Sequence, residues 1–263
     1  MSVPFRSISF AGAGNVATHL ARAFRKAGYS VSGIYSPGLA SAKELAAEVN
    51  SRVCPSVKDI DRQTDMIIVS VPDHAFSEVM DALGQTQTFV VHTSGGLDLN
   101  VMKGKVADYG VLYPLQTFSK NTPVNMQEVP FCIEASDKKL LQELHVMASS
   151  VSGSVIEADS VKRKLLHLSA VFACNFPNSM YAIAAELLKS ADLPFGLLHP
   201  LILETARKAT LQPPLKAQTG PALRNDLETM KTHESMLENK ELYRHIYALL
   251  SGLIQEQYKE DDV

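Results

Sequence analysis

Ile8-Ser9-Phe10-Ala11-Gly12-Ala13-Gly14-Asn15-Val16-Ala17 is the stretch on which the reading of the fold turns. An apolar run from Ile8 leads into Gly-x-Gly-x-x-Ala, and apolar residues then recur at Val16, Leu20, Ala23, Phe24 and Ala27 with helical spacing. The pattern predicts a strand, a tight turn and a helix. Each small residue has a task if a dinucleotide lies there. Gly12 permits the turn, Gly14 lets the backbone approach a diphosphate with no Cβ between, and Ala17 allows the helix to pack close to the strand. The N–H groups around Asn15 and Val16, at the positive end of the helix dipole, then face the phosphates. The alternative is an ordinary turn between a strand and a helix.

Beyond Gly28, Tyr29 to Tyr35 is a second strand candidate, and a helix follows through Leu45 and Val49. An NAD site places Asp or Glu at the end of this strand to bind the ribose 2′-hydroxyl. Here Ser36 stands there, and no acidic residue occurs between Tyr29 and Glu44. A carboxylate repels a 2′-phosphate, whereas the Ser36 or Ser41 hydroxyl and the Lys43 charge tolerate or attract it. The expected cofactor is therefore NADP, with NAD second. In the plainer reading Ser36 only begins a turn and Lys43 only solvates a helix.

Met66 to Pro72 is a nearly continuous apolar run, as expected of a parallel strand covered on both faces. A helix carrying Phe76, Val79, Met80 and Leu83 follows, then a strand from Thr88 to Val91 that runs into His92-Thr93-Ser94-Gly95-Gly96. Ligands collect outside the carboxyl ends of such strands. Val71, Pro72 and Thr93 are thus expected at the cofactor, and His92 and Ser94 are catalytic candidates, although Thr93 and Ser94 could equally cap the turn. Two more strands, Tyr109 to Leu115 and Val129 to Glu134, bracket Tyr113 to Ser119, whose only evident property is a position near the sheet's ligand edge. Asp137 is placed to cap a helix through Leu140, Leu144 and Met147, and Ser154 to Glu157 is a last strand. This alternation predicts a Rossmann-like, doubly wound, mainly parallel α/β domain over residues 1–157.

From residue 158 the strand signals stop, and an all-α C-terminal domain is expected over residues 158–263. Its first helix has an apolar stripe at Leu165, Leu168, Phe172, Phe176, Ile183 and Leu187. A neighbouring stripe holds His167, Val171, Cys174, Asn175 and Asn178. His167 is the candidate proton donor, because histidine holds or releases a proton near neutral pH, and Asn175 the candidate that orients a substrate. The bland alternative is that these polar groups satisfy one another. Pro177 should disturb the helix beside them. Further on, a helix restarts at Pro200, and Thr219 is an N-cap candidate with Pro221 early in its helix. Arg224, Asp226 and His233 read as a capping group or anion ligands. A firmly amphipathic helix through Leu242, Ile246, Leu249, Leu253 and Ile254 suits bundle closure or pairing with a second subunit.

At 263 residues the chain suits two domains, and 46% hydrophobic with 20% charged residues is a globular composition. A net charge of −3 gives no reason to expect nucleic acid. No apolar run approaches the ~20 residues of a membrane span, and the opening residues lack a secretion signal, so no membrane partner and a cytoplasmic location are expected. Cys54, Cys132 and Cys174 are widely spaced, which argues for buried free thiols and against a thiolate metal site.

Taken together, Gly12-x-Gly14-Asn15-Val16-Ala17, His92-Thr93-Ser94-Gly95, Tyr113-Pro114-Leu115-Gln116-Thr117, His167 to Asn178 and Gln218-Thr219-Gly220-Pro221 resemble the NADP oxidoreductase family that joins a Rossmann-like domain to a helical domain of unknown function. More distantly, the chain is similar to pyrroline-5-carboxylate reductase and the 6-phosphogluconate dehydrogenase-like superfamily. The resemblance implies a substrate site between the domains and a homodimer formed through the helical domain. The expected function is hydride transfer between a nicotinamide and a small carbonyl or imine substrate; the alternative is a non-catalytic NADP(H)-binding sensor or assembly protein.

Overall fold

Strand β1 (Ser7–Ala11) leads through a glycine turn into helix α1 (Asn15–Lys26), and β2 (Ser30–Tyr35), α2 (Leu39–Val49) and β3 (Arg52–Cys54) follow. Next come β4 (Met66–Val69), α3 (Phe76–Leu83), β5 (Phe89–His92), β6 (Tyr109–Pro114), β7 (Phe131–Ala135), α4 (Lys138–Ser149), β8 (Val155–Glu157) and α5 (Ser160–Ala170). These elements belong to a computed structural model that describes residues 5–259.

The eight strands form one sheet in the order β3-β2-β1-β4-β5-β6-β7-β8, parallel throughout except that β7 runs antiparallel to β6. The fold is Rossmann-like, as expected. Strand order reverses between β1 and β4, so the crevice beyond their carboxyl ends is the natural ligand position. Alternating residues of β4 feed opposite faces. Met66 and Ile68 join a core with Leu20, Phe24 and Leu45 of α1 and α2, while Ile67 and Val69 join another with Val79, Met80 and Leu83 of α3. Burial on both faces explains the unbroken apolar run there. β3 is a strand that the sequence reading does not contain.

The chain divides into two compact units, Met1–Asn175 and Phe176–Val263. The strand signals end at residue 157, but α5 stays with the sheet, because a fully buried Arg163 ties it there. Directly after α5, hydrogen bonding changes to π type over Val171–Asn175, immediately before Phe176-Pro177. A π-turn is one way a helix accommodates the amide that proline lacks.

The second unit holds α6 (Phe176–Lys189), α7 (His199–Leu211), α8 (Pro214–Ala217), α9 (Leu227–Met236) and α10 (Glu241–Lys259). Pro200 falls in the first turn of α7, as expected. Thr219 does not cap a helix: Gly220 follows it at φ +114°, and the cap of α9 is Asp226, which accepts the Thr229 N–H at 3.1 Å. His233 bonds Tyr247 Oη at 2.9 Å within this unit. Cys54 and Cys132 are buried thiols, whereas Cys174 is exposed, contrary to expectation. Among the described residues no helix is long and apolar enough to cross a membrane.

Candidate functional site

Gly12 and Gly14 differ in what demands them. Gly12 has φ +123°, its N–H donates to Tyr35 O at 2.7 Å, and a Cβ there would sit 2.0 Å from Ser70 O. The turn and the close approach of β4 both require glycine. Gly14 has φ −80°, open to any residue, and an added Cβ would meet nothing within 4 Å. Neither backbone nor packing asks for glycine at this position, so its effect is to keep the space before α1 clear. α1 also begins without a side-chain cap or an acidic residue in its first turn. Its leading amides are thus left to a ligand at the positive end of the helix. These residues fit a dinucleotide diphosphate. The Asn15 side chain donates from Nδ2 to Phe118 O at 2.9 Å.

In front of this seat lies a cleft of about 390 Å³, outside the carboxyl ends of β1, β4, β5 and β6. Gly14, Asn15 and Val16 line one side, and Val71, Pro72, Thr93 and Ser94 another. Tyr113, Gln116 and His167 complete it. A larger groove of about 850 Å³, lined by His19, Arg22 and Lys26 of α1, contains none of the glycines or His167. The smaller cleft is the one that brings the Gly14 turn and the Tyr113 and His167 side chains together.

His167 reaches the cleft because α5 is anchored one turn earlier. Arg163 donates from Nη1 to Glu134 Oε2 on β7 at 2.5 Å and from Nη2 to Leu97 O at 2.5 Å and Ser160 Oγ at 3.1 Å. Asp159 starts the helix by accepting the Lys162 N–H at 2.8 Å. With α5 fixed, His167 Nδ1 lies 3.0 Å from Tyr113 Oη, the two rings edge to face. Burial, with the nearby Cys132 thiol, pushes the Tyr113 phenol up to about 12, against a smaller opposing effect of Arg163, so it stays protonated. Gly95 lies beneath this pair. A Cβ there would be 2.7 Å from His167 Cγ and 2.8 Å from Tyr113 Cζ.

His92 sits under the cleft and not in it. It is 1% exposed, its ring meets Phe76 edge-on, and its Nδ1 accepts the Ser94 N–H at 3.2 Å. Burial first, then the Arg163 charge, push its pKa down to about 3. A buried neutral imidazole has no route to exchange protons with a substrate, so the catalytic expectation for His92 gives way to a role in shaping the loop after β5. Ser94 Oγ accepts the N–H groups of Gly96 and Leu97, each at 3.0 Å, and so caps that turn while still facing the cleft. Thr93 Oγ1 donates to Ser70 Oγ at 3.1 Å and links the two loops.

Asn175, Ser36 and Lys43 are not among the residues that line the cleft. Asn175 is exposed at the end of the π-turn, half-buried Ser36 directly follows β2, and Lys43 is exposed on α2. Sequence reasoning missed Arg163 and Glu134 as supports of the site and gave Tyr113 only a position near the sheet's ligand edge. One signal was present: Arg163, four residues before His167 in a helix, lies on the same face.

Residues 7–96 match the family described as NADP oxidoreductase, coenzyme F420-dependent, and residues 129–254 match a domain of unknown function, DUF2520. A solved structure named as putative NADP oxidoreductase BF3122 from Bacteroides fragilis is 43% identical, with 97% of this chain and all of that one covered and a TM-score of 0.93. Two more distant structures share the fold at 97% coverage of this chain. A reductive aminase from Aspergillus terreus, in complex with NADPH and ethyl-5-oxohexanoate, is 15% identical with 94% of its chain covered and a TM-score of 0.72. A 1-pyrroline-5-carboxylate reductase from Streptococcus pyogenes is 13% identical with 98% of its chain covered and a TM-score of 0.63. No curated protein is similar enough in sequence to count as a relative. At such identity and coverage across both domains, the chain belongs to the NADP oxidoreductase family.

Proposed function

We propose that this chain is an NADP-dependent reductase or dehydrogenase acting on a small carbonyl or imine compound. The observation that carries the reading is that the open cradle at Gly14 and the Tyr113–His167 pair line one cleft. The N–H groups of Asn15 and Val16 hold the diphosphate, and Ser36 and Lys43 accept the 2′-phosphate at the end of β2. Val71, Pro72 and Thr93 flank the nicotinamide end. NADPH, when bound, supplies the hydride.

Reduction of C=O or C=N adds that hydride to carbon and a proton to oxygen or nitrogen. In this reading His167 gives the proton from Nε2, while its Nδ1–H donates throughout to Tyr113 Oη. The ring then passes from imidazolium to neutral without turning, and a Tyr113 that stays protonated does not trap the charge. Ser94, which faces the cleft, contacts and orients the substrate.

The test follows NADPH oxidation with a panel of small ketones, aldehydes and cyclic imines. The wild type turns over at least one class, and His167→Ala loses about 10²–10⁴-fold in rate with NADPH affinity kept. Tight NADPH binding with no turnover across the panel contradicts this reading and favours a sensor.

We also infer a homodimer through the helical unit. Leu242 and Leu249 of α10 are 67% and 74% exposed, an arrangement that a second subunit would bury. Light scattering that returns a monomer mass refutes it.

A further inference from the structure

The segment after β6 has no regular structure, yet α1 holds it by three successive carbonyls. Asn15 Nδ2 donates to Phe118 O at 2.9 Å, His19 Nε2 to Ser119 O at 3.0 Å and Arg22 Nη1 to Lys120 O at 3.1 Å. The three side chains are spaced i, i+4, i+7, one face of a helix. The His19 and Phe118 rings also pack at 4.9 Å, and Glu48 holds the rest of the Arg22 guanidinium. The strand end that carries Tyr113 is therefore latched to the helix whose N-terminus forms the cofactor seat.

Gln116, two residues before the first latched carbonyl, lines the cleft beside Gly14, Asn15 and Val16. The Thr117 N–H and Oγ–H both donate to Gln116 Oε1, at 2.7 and 3.2 Å. A backbone N–H can only donate, so the amide orientation is determined: the oxygen is used locally and the two Nε2–H donors remain. They have no hydrogen-bond partner among the described residues.

We propose that Gln116 is a cofactor-binding residue, its carboxamide donating to an oxygen of the bound dinucleotide beside the start of α1. Asn15, His19 and Arg22 are the positioning residues that hold it there. The proposal rests on the NADP reading above and adds a binding element, from the segment after β6, to those named there.

Calorimetry with the full chain and NADPH tests it. Gln116→Leu, at an exposed position that leaves the core untouched, should lower affinity about tenfold. His19→Ala should lower it comparably, and His19→Gln, which keeps a donor, should restore it. Because the latch acts through Gln116, the double variant H19A/Q116L should bind no more weakly than Q116L. Arg22→Met replaces the His19→Ala arm if that variant does not fold. Wild-type binding with Q116L unchanged, or losses that multiply in the double variant, overturns the proposal and leaves the NADP reading standing. A wild type that does not bind NADPH overturns both.

Discussion

Burial of His92 predicts a measurable loss of stability in mild acid. In the unfolded chain its imidazole has the ordinary pKa of 6.5, and in the fold it is pushed down to about 3. Between these values the unfolded state binds the extra proton, so stability rises with pH across the window. The contribution is complete above about pH 6.5 and is lost as pH falls toward 3. At 1% exposure, solvent screening is small. With about 1.4 kcal/mol per pKa unit, lowering the pH from 7 to 5 removes about 2 kcal/mol through this one residue. His92→Asn keeps an acceptor for the Ser94 N–H and cannot titrate. Urea denaturation of both proteins at pH 7 and pH 5 should show the wild type losing about 2 kcal/mol more than the variant. Equal losses in the two proteins, or a His92 NMR titration centred near 6.5, would refute the reasoning.

Gly95→Ala places a methyl where the His167 and Tyr113 rings lie. We expect a destabilisation of about 1–3 kcal/mol by denaturant melting and a fall in turnover, with NADPH affinity kept. Arg163→Met breaks the ion pair with Glu134 and leaves that carboxylate, only partly solvated, without its cation. The expected cost is about 3 kcal/mol at the urea midpoint, and R163M/E134Q together should cost less than the sum of the single changes.

What was legible in the sequence was what local pattern controls. Ile8 to Ala17 specified a strand, a turn and a helix because the spacing of apolar and small residues carries that information within ten positions. β4, buried on both faces, announced itself as an apolar run, and Asp137 capped α4 where expected. The pairings that build the site are long-range. Tyr113 and His167 are 54 residues apart, and Asn15 and Phe118 are 103 apart. No periodicity records which tyrosine meets which histidine. His92 misled for a related reason: a histidine at the end of a buried strand looks the same in sequence whether it faces a cleft or lies beneath one. Thr219 carried cap chemistry, but Gly220 follows it with a left-handed φ, and the helix is capped by Asp226.

The central claim is that the open space at Gly14 is a dinucleotide seat, and Gly14→Ala tests it most directly. A methyl there meets no protein atom within 4 Å, and the backbone angles admit alanine. Thermal unfolding without ligand should therefore change little. Titrated with NADPH in a calorimeter, the wild type should bind and the variant should bind at least about tenfold more weakly, because the new Cβ stands where the diphosphate approaches. Equal NADPH affinity in the two proteins would contradict the account.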